Sequence, residues 1–329
     1  GKRVLVIGGT QFMGRLTVDA LVAEGFEVTI LSRGKSKNPH GAAVGHIICD
    51  RNKEREQFRQ IIEDGGWDTV IDFVAFHKAA AMDVVLGIRG NETHYIVISS
   101  DSVYMACVPS KLLDGSKRGV RECDAERAHF VVPRNPYQHE YGGNKLAIEE
   151  SLHKVSARTG LCFTSLRLCD VMGIFDNQAV LLRLKALVAK GHAIPAGVPE
   201  GSLIKTPLQD HRISLVFSKD VARAVVSAVC KRDAVAGLEL NIAGKEQPTV
   251  GELLALISEL SGRDKDSLDW NAEEHMLLPS VDFGPVDSTL AREKLEWEPT
   301  PLRDWIRETL VWYDDTSNCA YTMAHALKR

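Results

Sequence analysis

No charge of one sign dominates this chain: 40 Lys and Arg stand against 44 Asp and Glu, a formal net of −4. That balance removes any general electrostatic attraction to nucleic acid or to an anionic membrane, although it leaves room for a local basic patch. Paired cysteines are also missing. The seven cysteines are odd in number and form no CxxC, which excludes a disulfide framework; several lie in apolar runs and read as small buried hydrophobes of a reducing compartment. No apolar run reaches the length of a membrane span. The opening GKRVLVIGG reads as a core strand rather than a signal peptide, so the expected compartment is the cytoplasm. Eleven scattered histidines make no HxH or HExxH arrangement, and no metal site is expected. Internal repeats and low-complexity tracts are absent, which excludes a solenoid.

What is present is ordinary globular material. With 329 residues, 44% hydrophobic and 26% charged, the chain can bury a large core, as one large domain or two unequal ones. Short apolar, β-branched runs alternate with helical spacing: RVLVIG (3–8), EVTILS (27–32), HIICD (46–50), DTVIDFVA (68–75), HYIVISS (94–100) and CFTSLRL (162–168), with helices expected at 12–25 and at about 53–64, 77–89 and 140–158. Strands that are apolar on both faces and separated by helices suit a parallel sheet. The expected fold is therefore α/β, a doubly wound parallel sheet of Rossmann type with a smaller, mostly C-terminal lobe. The sheet body is expected over 1–170 with a return segment at about 213–243. The lobe takes about 171–212 and 244–329, where Pro and Gly clusters break the rhythm before two amphipathic helices.

Three local patterns carry chemistry. GGTQFMG (8–14) lies where the first strand turns into the first helix, so that free backbone N–H groups and the positive helix end would face a pyrophosphate. Gly8 suits the turn and Gly14 the close packing of helix on sheet. Gln11 stands where the middle glycine of GxGxxG would be, and a tight turn that binds nothing is the competing reading. At the end of the second strand, LSRGKSK has Ser32 where an acidic residue would hold the ribose of NAD, followed by Arg33, Lys35 and Lys37. A neutral residue followed by arginine favours the 2′-phosphate of NADP over NAD, unless the loop is merely solvated. Asp50, ending the third strand, meets an adenine or caps a turn. In YGGNK (141–145), Tyr141 and Lys145 share a helix face at i and i+4, and an ammonium beside a phenol lowers its pKa toward the range of general acid-base work. Ser99 and Ser100 end a predicted strand, where a hydroxyl would polarise a carbonyl next to the tyrosine. His77 reads as a helix cap, and Trp297, Trp305, Trp312 and Tyr313 as core of the last helix.

These pieces, in this order, resemble the extended short-chain dehydrogenases/reductases, the NAD-dependent epimerase/dehydratase family that includes nucleotide-sugar epimerases. VIGGTQFMG, SSDSVY, YGGNK, LRLCDVMG, DVARAVVSAV, GLELNIAGKEQPTVGELLALISELSGR and DSTLAREKLEWEPTPLRDWIRETLVWY are similar to that family's segments across nearly the whole chain. The resemblance implies an NAD(P)-dependent oxidoreductase or epimerase that transfers hydride at a carbinol or carbonyl carbon. It implies Tyr141 as acid-base group, Lys145 as ligand of the nicotinamide ribose, and Ser100 as donor to the reacting oxygen. The implied cofactor site comprises Gly8, Thr10, Gln11, Phe12, Met13 and Gly14, then Ser32, Arg33, Lys37 and Asp50, then Ala75, Phe76 and Ser99 beside Tyr141 and Lys145. Asp101, Ser102, Asp170, Arg212 and Arg292 fall at substrate positions.

Departures from the family pattern narrow the choice. The Asp-Glu pair of sugar 4,6-dehydratases is here Asp101-Ser102, which argues against β-elimination of water. Asp170 replaces the usual asparagine and Ile174 the proline after Gly173; a carboxylate beside a substrate diphosphate is repulsive. Arg212 and Arg292 are each offset by one residue from the family's spacing. The substrate is thus expected to be a small molecule, a nucleotide sugar or similar polyol, with reduction of a small carbonyl compound by NADPH as the alternative. GGTQFMG with a basic strand end also resembles the chloroplast stem-loop RNA-binding relatives, but a complete Ser100, Tyr141, Lys145 set and the acidic net charge speak against nucleic acid. Many relatives pair through the YxxxK helix, so the resemblance also implies a homodimer.

Overall fold

The computed structural model describes residues 2–88, 92–112, 119–129, 136–190, 193–198, 202–204, 206–264, 268–275 and 278–326. In chain order the first half runs β1 (Arg3–Ile7), α1 (Phe12–Ala23), β2 (Glu27–Ser32), β3 (Gly45–Ile48), α2 (Arg55–Asp64), β4 (Thr69–Asp72), α3 (Lys78–Gly87), β5 (His94–Ser100), α4 (Pro109–Leu112), α5 (Pro136–Thr159) and β6 (Cys162–Leu168). The second half adds β7 (Asp170–Met172), α6 (Val180–Lys190), β8 (Ile194–Gly197), β9 (Leu215–Phe217), α7 (Ser218–Cys230), α8 (Arg232–Val235), β10 (Leu238–Ile242), α9 (Val250–Leu260), β11 (Trp270–His275), α10 (Thr289–Leu295), α11 (Leu302–Trp312) and α12 (Thr316–Ala326).

Seven strands make one parallel sheet in the order β3-β2-β1-β4-β5-β6-β10. The alternation of side chains along each strand divides its core in two. Val4, Val6, Ile30, Ile96 and Leu166 pack on one face with Val18 and Leu21 of α1 and Val221 and Val225 of α7. Leu5, Ile7, Val70, Val97 and Phe163 pack on the other with Phe58 and Ile62 of α2, Val84 of α3 and Ile148 and Leu152 of α5. Both faces are covered, which is why the strands read as nearly continuous apolar runs. A further core gathers α6, α9 and α11 around Leu184, Leu215, Leu254, Trp305 and Ile306, away from the sheet.

The expected ranges of β2, β5 and β6 coincide with the observed ones, whereas β3 and β4 end earlier than HIICD and DTVIDFVA suggest. Helix α5 begins at Pro136 rather than near 140, in keeping with proline's fitness for the first helical turn. The chain winds outward from β1 through β2 to β3, then returns to β4 on the other side of β1. That reversal opens a crevice at the carboxyl ends of β1 and β4, where ligands bind in open α/β sheets.

Candidate active site

The crevice is a cleft of about 930 Å³, within the range of pockets that enclose sizeable ligands. Its floor is the turn after β1. Gly8 has φ +93°, and a Cβ on Gly14 would stand 2.2 Å from the Gly8 carbonyl oxygen, so α1 can approach the turn this closely only through glycine. Phe12, the first residue of α1, is held at φ 45° with its ring buried. Such a strained non-glycine residue persists only where surrounding packing fixes it. Gln11 does not fill the turn. Its Nε2 donates to Ser36 Oγ at 2.9 Å and ties the turn to the loop after β2. Gly8, Thr10, Gln11, Phe12, Met13 and Gly14 all line the cleft.

From the end of β2, Ser32, Arg33, Lys35 and Ser36 line the same cleft, whereas Lys37 does not. Asp50 lies off it as well: its Oδ1 accepts from the Asn52 N–H at 3.1 Å and caps the turn that leads to α2. Arg51 and Asn52 line the wall in its place. The Arg51 guanidinium is buried against Asp72, Nη1 to Oδ2 2.9 Å. His77 caps α3 through Nδ1, which accepts from the Ala80 N–H.

Lys145 is the most constrained group in the cleft. It is only 2% exposed, and its Nζ donates to Ala75 O and to Ile98 O, both at 2.7 Å. Ala75 thus contributes a backbone carbonyl to the site. Burial lowers the Lys145 pKa to about 8, against the opposing pull of Asp72 and Glu149. Nζ lies 5.7 Å from the centre of the Tyr141 ring and 5.3 Å from that of Phe76, within cation–π reach of both. Helix α5 comes this close because of Gly142, where a Cβ would stand 1.7 Å from Ser102 O. Ser100 Oγ accepts from the Ser102 N–H at 3.1 Å and lies 3.1 Å from Ser102 Oγ, which donates to Gln138 Oε1 at 3.0 Å. Ser99, Ser100, Tyr141, Lys145 and Phe76 all face the cleft. Tyr104, three residues beyond Asp101, is buried and structural: its hydroxyl donates to Asn241 Oδ1 at 2.9 Å and accepts from Arg167 Nη1 at 3.1 Å.

Beyond Ser100 the wall turns acidic. The register that pairs Ser100 with Leu168 brings Asp101 and Asp170, just past the ends of β5 and β6, into the same wall. Burial pushes the Asp101 carboxyl well above the usual carboxylate range and the neighbouring Asp170 adds to it; Ser100 and the Ser102 N–H oppose. Asp170 is raised by burial too, although its Oδ2 accepts from the Ser280 N–H at 3.2 Å. Two unpartnered polar atoms lie in the wall: Ser99 Oγ and Asn177 Oδ1, each buried without a hydrogen-bond partner among the described residues. Unsatisfied buried acceptors and donors mark places where a ligand can complete the bonding.

Arg212 and Arg292 stand elsewhere. Arg212 donates to Gln247 O at 2.6 Å beside Glu252, Arg292 donates to Thr289 Oγ1 at 3.2 Å, and neither lines the cleft. Several lining residues had no sequence motif to announce them: Gln138, Asn177, Gln178, Ser280 and His325. Asn177 and Gln178 lie between Phe175 and Ala179, both at φ 59°, a loop whose left-handed residues are not glycines. His325 reaches the cleft on α12, whose Tyr321 meets Phe175 edge to face with ring centres 5.8 Å apart.

Comparison with known proteins bears on the family and the fold. The model of the NAD dependent epimerase/dehydratase family matches residues 4–84 and 78–243. The dTDP-6-deoxy-L-talose 4-dehydrogenase (NAD(P)(+)) of Kitasatospora kifunensis is 28% identical over 316 residues, 93% of this chain and 94% of that protein. A chloroplast stem-loop binding protein of 41 kDa from Arabidopsis thaliana is 30% identical over 117 residues, 32% of this chain and 30% of its own length. The UDP-glucose 4-epimerase of Thermotoga maritima, solved with UDP-glucose, superposes with a TM-score of 0.72 at 20% identity, covering 96% of this chain and 99% of its own. Among the described residues no helix is long and apolar enough to cross a membrane. With the glycine turn, the doubly wound sheet and the matched segments spanning both, the chain belongs to the NAD-dependent epimerase/dehydratase family, the extended short-chain dehydrogenases/reductases.

Proposed function

We propose that this chain is an NADP-preferring enzyme of that family that moves hydride to or from a carbinol carbon of a nucleotide sugar, with Ser100, Tyr141 and Lys145 as its catalytic set. One observation carries the reading: Lys145, pinned by Ala75 O and Ile98 O, holds its ammonium beside the Tyr141 ring and in the same cleft as the Ser100 hydroxyl and the glycine turn. The residues fit a dinucleotide. The turn leaves no room for a Cβ at Gly14, so backbone N–H groups can approach a pyrophosphate, and Ser99 Oγ offers a buried unpartnered hydroxyl toward the nicotinamide end. Arg33 and Lys35 supply positive charge where a 2′-phosphate would lie. The sheet body would then hold the cofactor, and the core around α6, α9 and α11 the substrate side.

When bound, the cofactor accepts or returns the hydride. The protein's own part is proton management. An ammonium has three N–H donors; two go to Ala75 O and Ile98 O, and the third is left for a ribose hydroxyl. The same charge stabilises the Tyr141 phenolate, which takes the substrate hydroxyl proton during oxidation and gives it back on reduction. Ser100 Oγ, held by the Ser102 N–H, donates to Ser102 Oγ, which in turn donates to Gln138; when substrate binds, the Ser100 proton would turn from Ser102 to the reacting oxygen.

Asp170 counts less against a diphosphate-bearing substrate than an exposed carboxylate would. With its carboxyl pushed up by burial and adjacent to the raised Asp101, the pair retains a proton more readily than two exposed carboxylates do. The dTDP-sugar activity of the Kitasatospora relative supports a nucleotide-sugar substrate.

The test is absorbance at 340 nm with NADP⁺ or NAD⁺ against a panel of dTDP- and UDP-sugars, with mass spectrometry of nucleotide released on denaturation. NADPH formation with a nucleotide sugar is expected. A tightly retained oxidised cofactor with interconversion of sugar epimers would place the chain among epimerases. Inertness toward every nucleotide sugar, with NADPH consumed by simple carbonyl compounds, would overturn the substrate assignment.

A further inference from the structure

The Ser32 hydroxyl has more neighbours than a solvated loop requires. Gly34, at φ +71°, folds the chain back so that its N–H donates to Ser32 Oγ at 3.2 Å. His46, in the edge strand β3 and not itself lining the cleft, places Nε2 2.8 Å from the same oxygen. Ser32 does line the cleft, beside Arg33, Lys35 and Ser36.

A serine hydroxyl owns one proton and two lone pairs. The Gly34 N–H fills one lone pair, so the direction of the His46 bond decides what Ser32 can offer a ligand. If Ser32 donates to a bare Nε2, it keeps one lone pair and can only accept, which suits a ribose hydroxyl. If instead Nε2–H donates to Ser32, both lone pairs are filled and the serine proton must point elsewhere, toward an acceptor. A phosphate dianion presents acceptors only. Two cationic side chains, Arg33 and Lys35, share this end of the cleft and favour an anion there.

We propose that His46 is a positioning residue for cofactor choice: by donating its Nε2–H to Ser32 Oγ it turns the Ser32 proton into the cleft and selects the 2′-phosphorylated dinucleotide over the unphosphorylated one. The inference rests on the NADP reading above and adds a residue that never touches the ligand. A hydrogen bond to a charged group contributes more than one between neutral groups, so losing the orientation of this one hydroxyl is expected to weaken NADPH binding about tenfold, a difference of about 1.4 kcal/mol.

The experiment is fluorescence titration of the full chain with NADPH and with NADH, for the wild type, His46→Leu, His46→Gln and Arg33→Ala. His46→Leu should bind NADPH about tenfold more weakly while NADH affinity stays within about twofold. His46→Gln, whose side-chain amide nitrogen reaches about as far as Nε2, should restore most of the loss. An unchanged NADPH-to-NADH ratio in His46→Leu overturns the proposal, as does an equal fall in both affinities, which would mean simple damage to β3. A glutamine variant as impaired as the leucine variant overturns it too, because the ring and not its donated proton would then matter. A wild type that prefers NADH, with Arg33→Ala affecting both cofactors alike, would overturn the NADP reading itself and this inference with it.

Discussion

Replacing Lys145 with methionine removes the buried ammonium while keeping an unbranched stem of similar length. The native lysine titrates at about 8 because burial disfavours its charge, whereas in the unfolded chain it titrates near its ordinary value of about 10.4. Between those values the unfolded state binds more protons, so the wild type gains stability as pH rises. At pH 7 the depressed pKa costs the folded state about 3 kcal/mol, at 1.36 kcal/mol per unit. By pH 9.5 only about 1 kcal/mol of that cost remains, so the wild type should gain about 2 kcal/mol across the interval from this residue alone. Lys145→Met cannot gain it. Comparing the urea midpoints of the two proteins at the two pH values cancels the titrating groups that Lys145 does not influence, while loss of the ammonium's support for the Tyr141 phenolate changes the variant in the same direction. The variant also strands the carbonyls of Ala75 and Ile98, a penalty that shifts its whole curve but not its slope with pH. Parallel stability–pH curves for the two proteins would refute the burial argument and, with it, the claim that the ammonium sits desolvated beside Tyr141.

Other changes test separate parts of the site. Arg33→Ala should weaken NADP binding by about tenfold or more and leave NAD within about twofold, as isothermal titration would show. Asp101→Asn removes a carboxyl whose folded pKa is raised, a group whose favourable effect is lost as pH rises. The variant should therefore be more stable than the wild type at pH 8, with the advantage shrinking toward pH 5, as chemical denaturation at the two values would show. Gly142→Ala should cost about 3 kcal/mol or more, since its Cβ would collide with Ser102 O at 1.7 Å, and urea unfolding measures it. Loss of activity should accompany it, because relief requires α5 or the turn bearing Ser102 to move.

What could be read from the sequence was what local physics determines. The apolar runs of β2, β5 and β6 declare themselves because both faces of the sheet are buried, and the glycine turn because no other residue can stand at Gly8 and Gly14. YGGNK was legible as a pair on one helix face. The proximity of Asp101 and Asp170 was not, because it follows from the lateral register of β5 on β6 and not from any spacing within either segment. No local pattern marks Asn177 and Gln178, whose loop is bent by left-handed Phe175 and Ala179 where glycine would have been the signal. Arg212 and Arg292 show the opposite limit. A motif offset by one residue keeps its look in the sequence while the fold sends the side chains to Gln247 and Thr289. His46 was silent for a related reason: its partner Ser32 lies on the neighbouring strand, fourteen positions away.

The most direct test of the account is Tyr141→Phe, assayed for turnover and for NADPH affinity side by side. Removing one phenolic oxygen should abolish turnover, by about a hundredfold or more, while leaving the cofactor dissociation constant within about threefold of the wild type. A variant that turns over normally would show that the proton travels by another route and would contradict the assignment of Tyr141, Lys145 and Ser100.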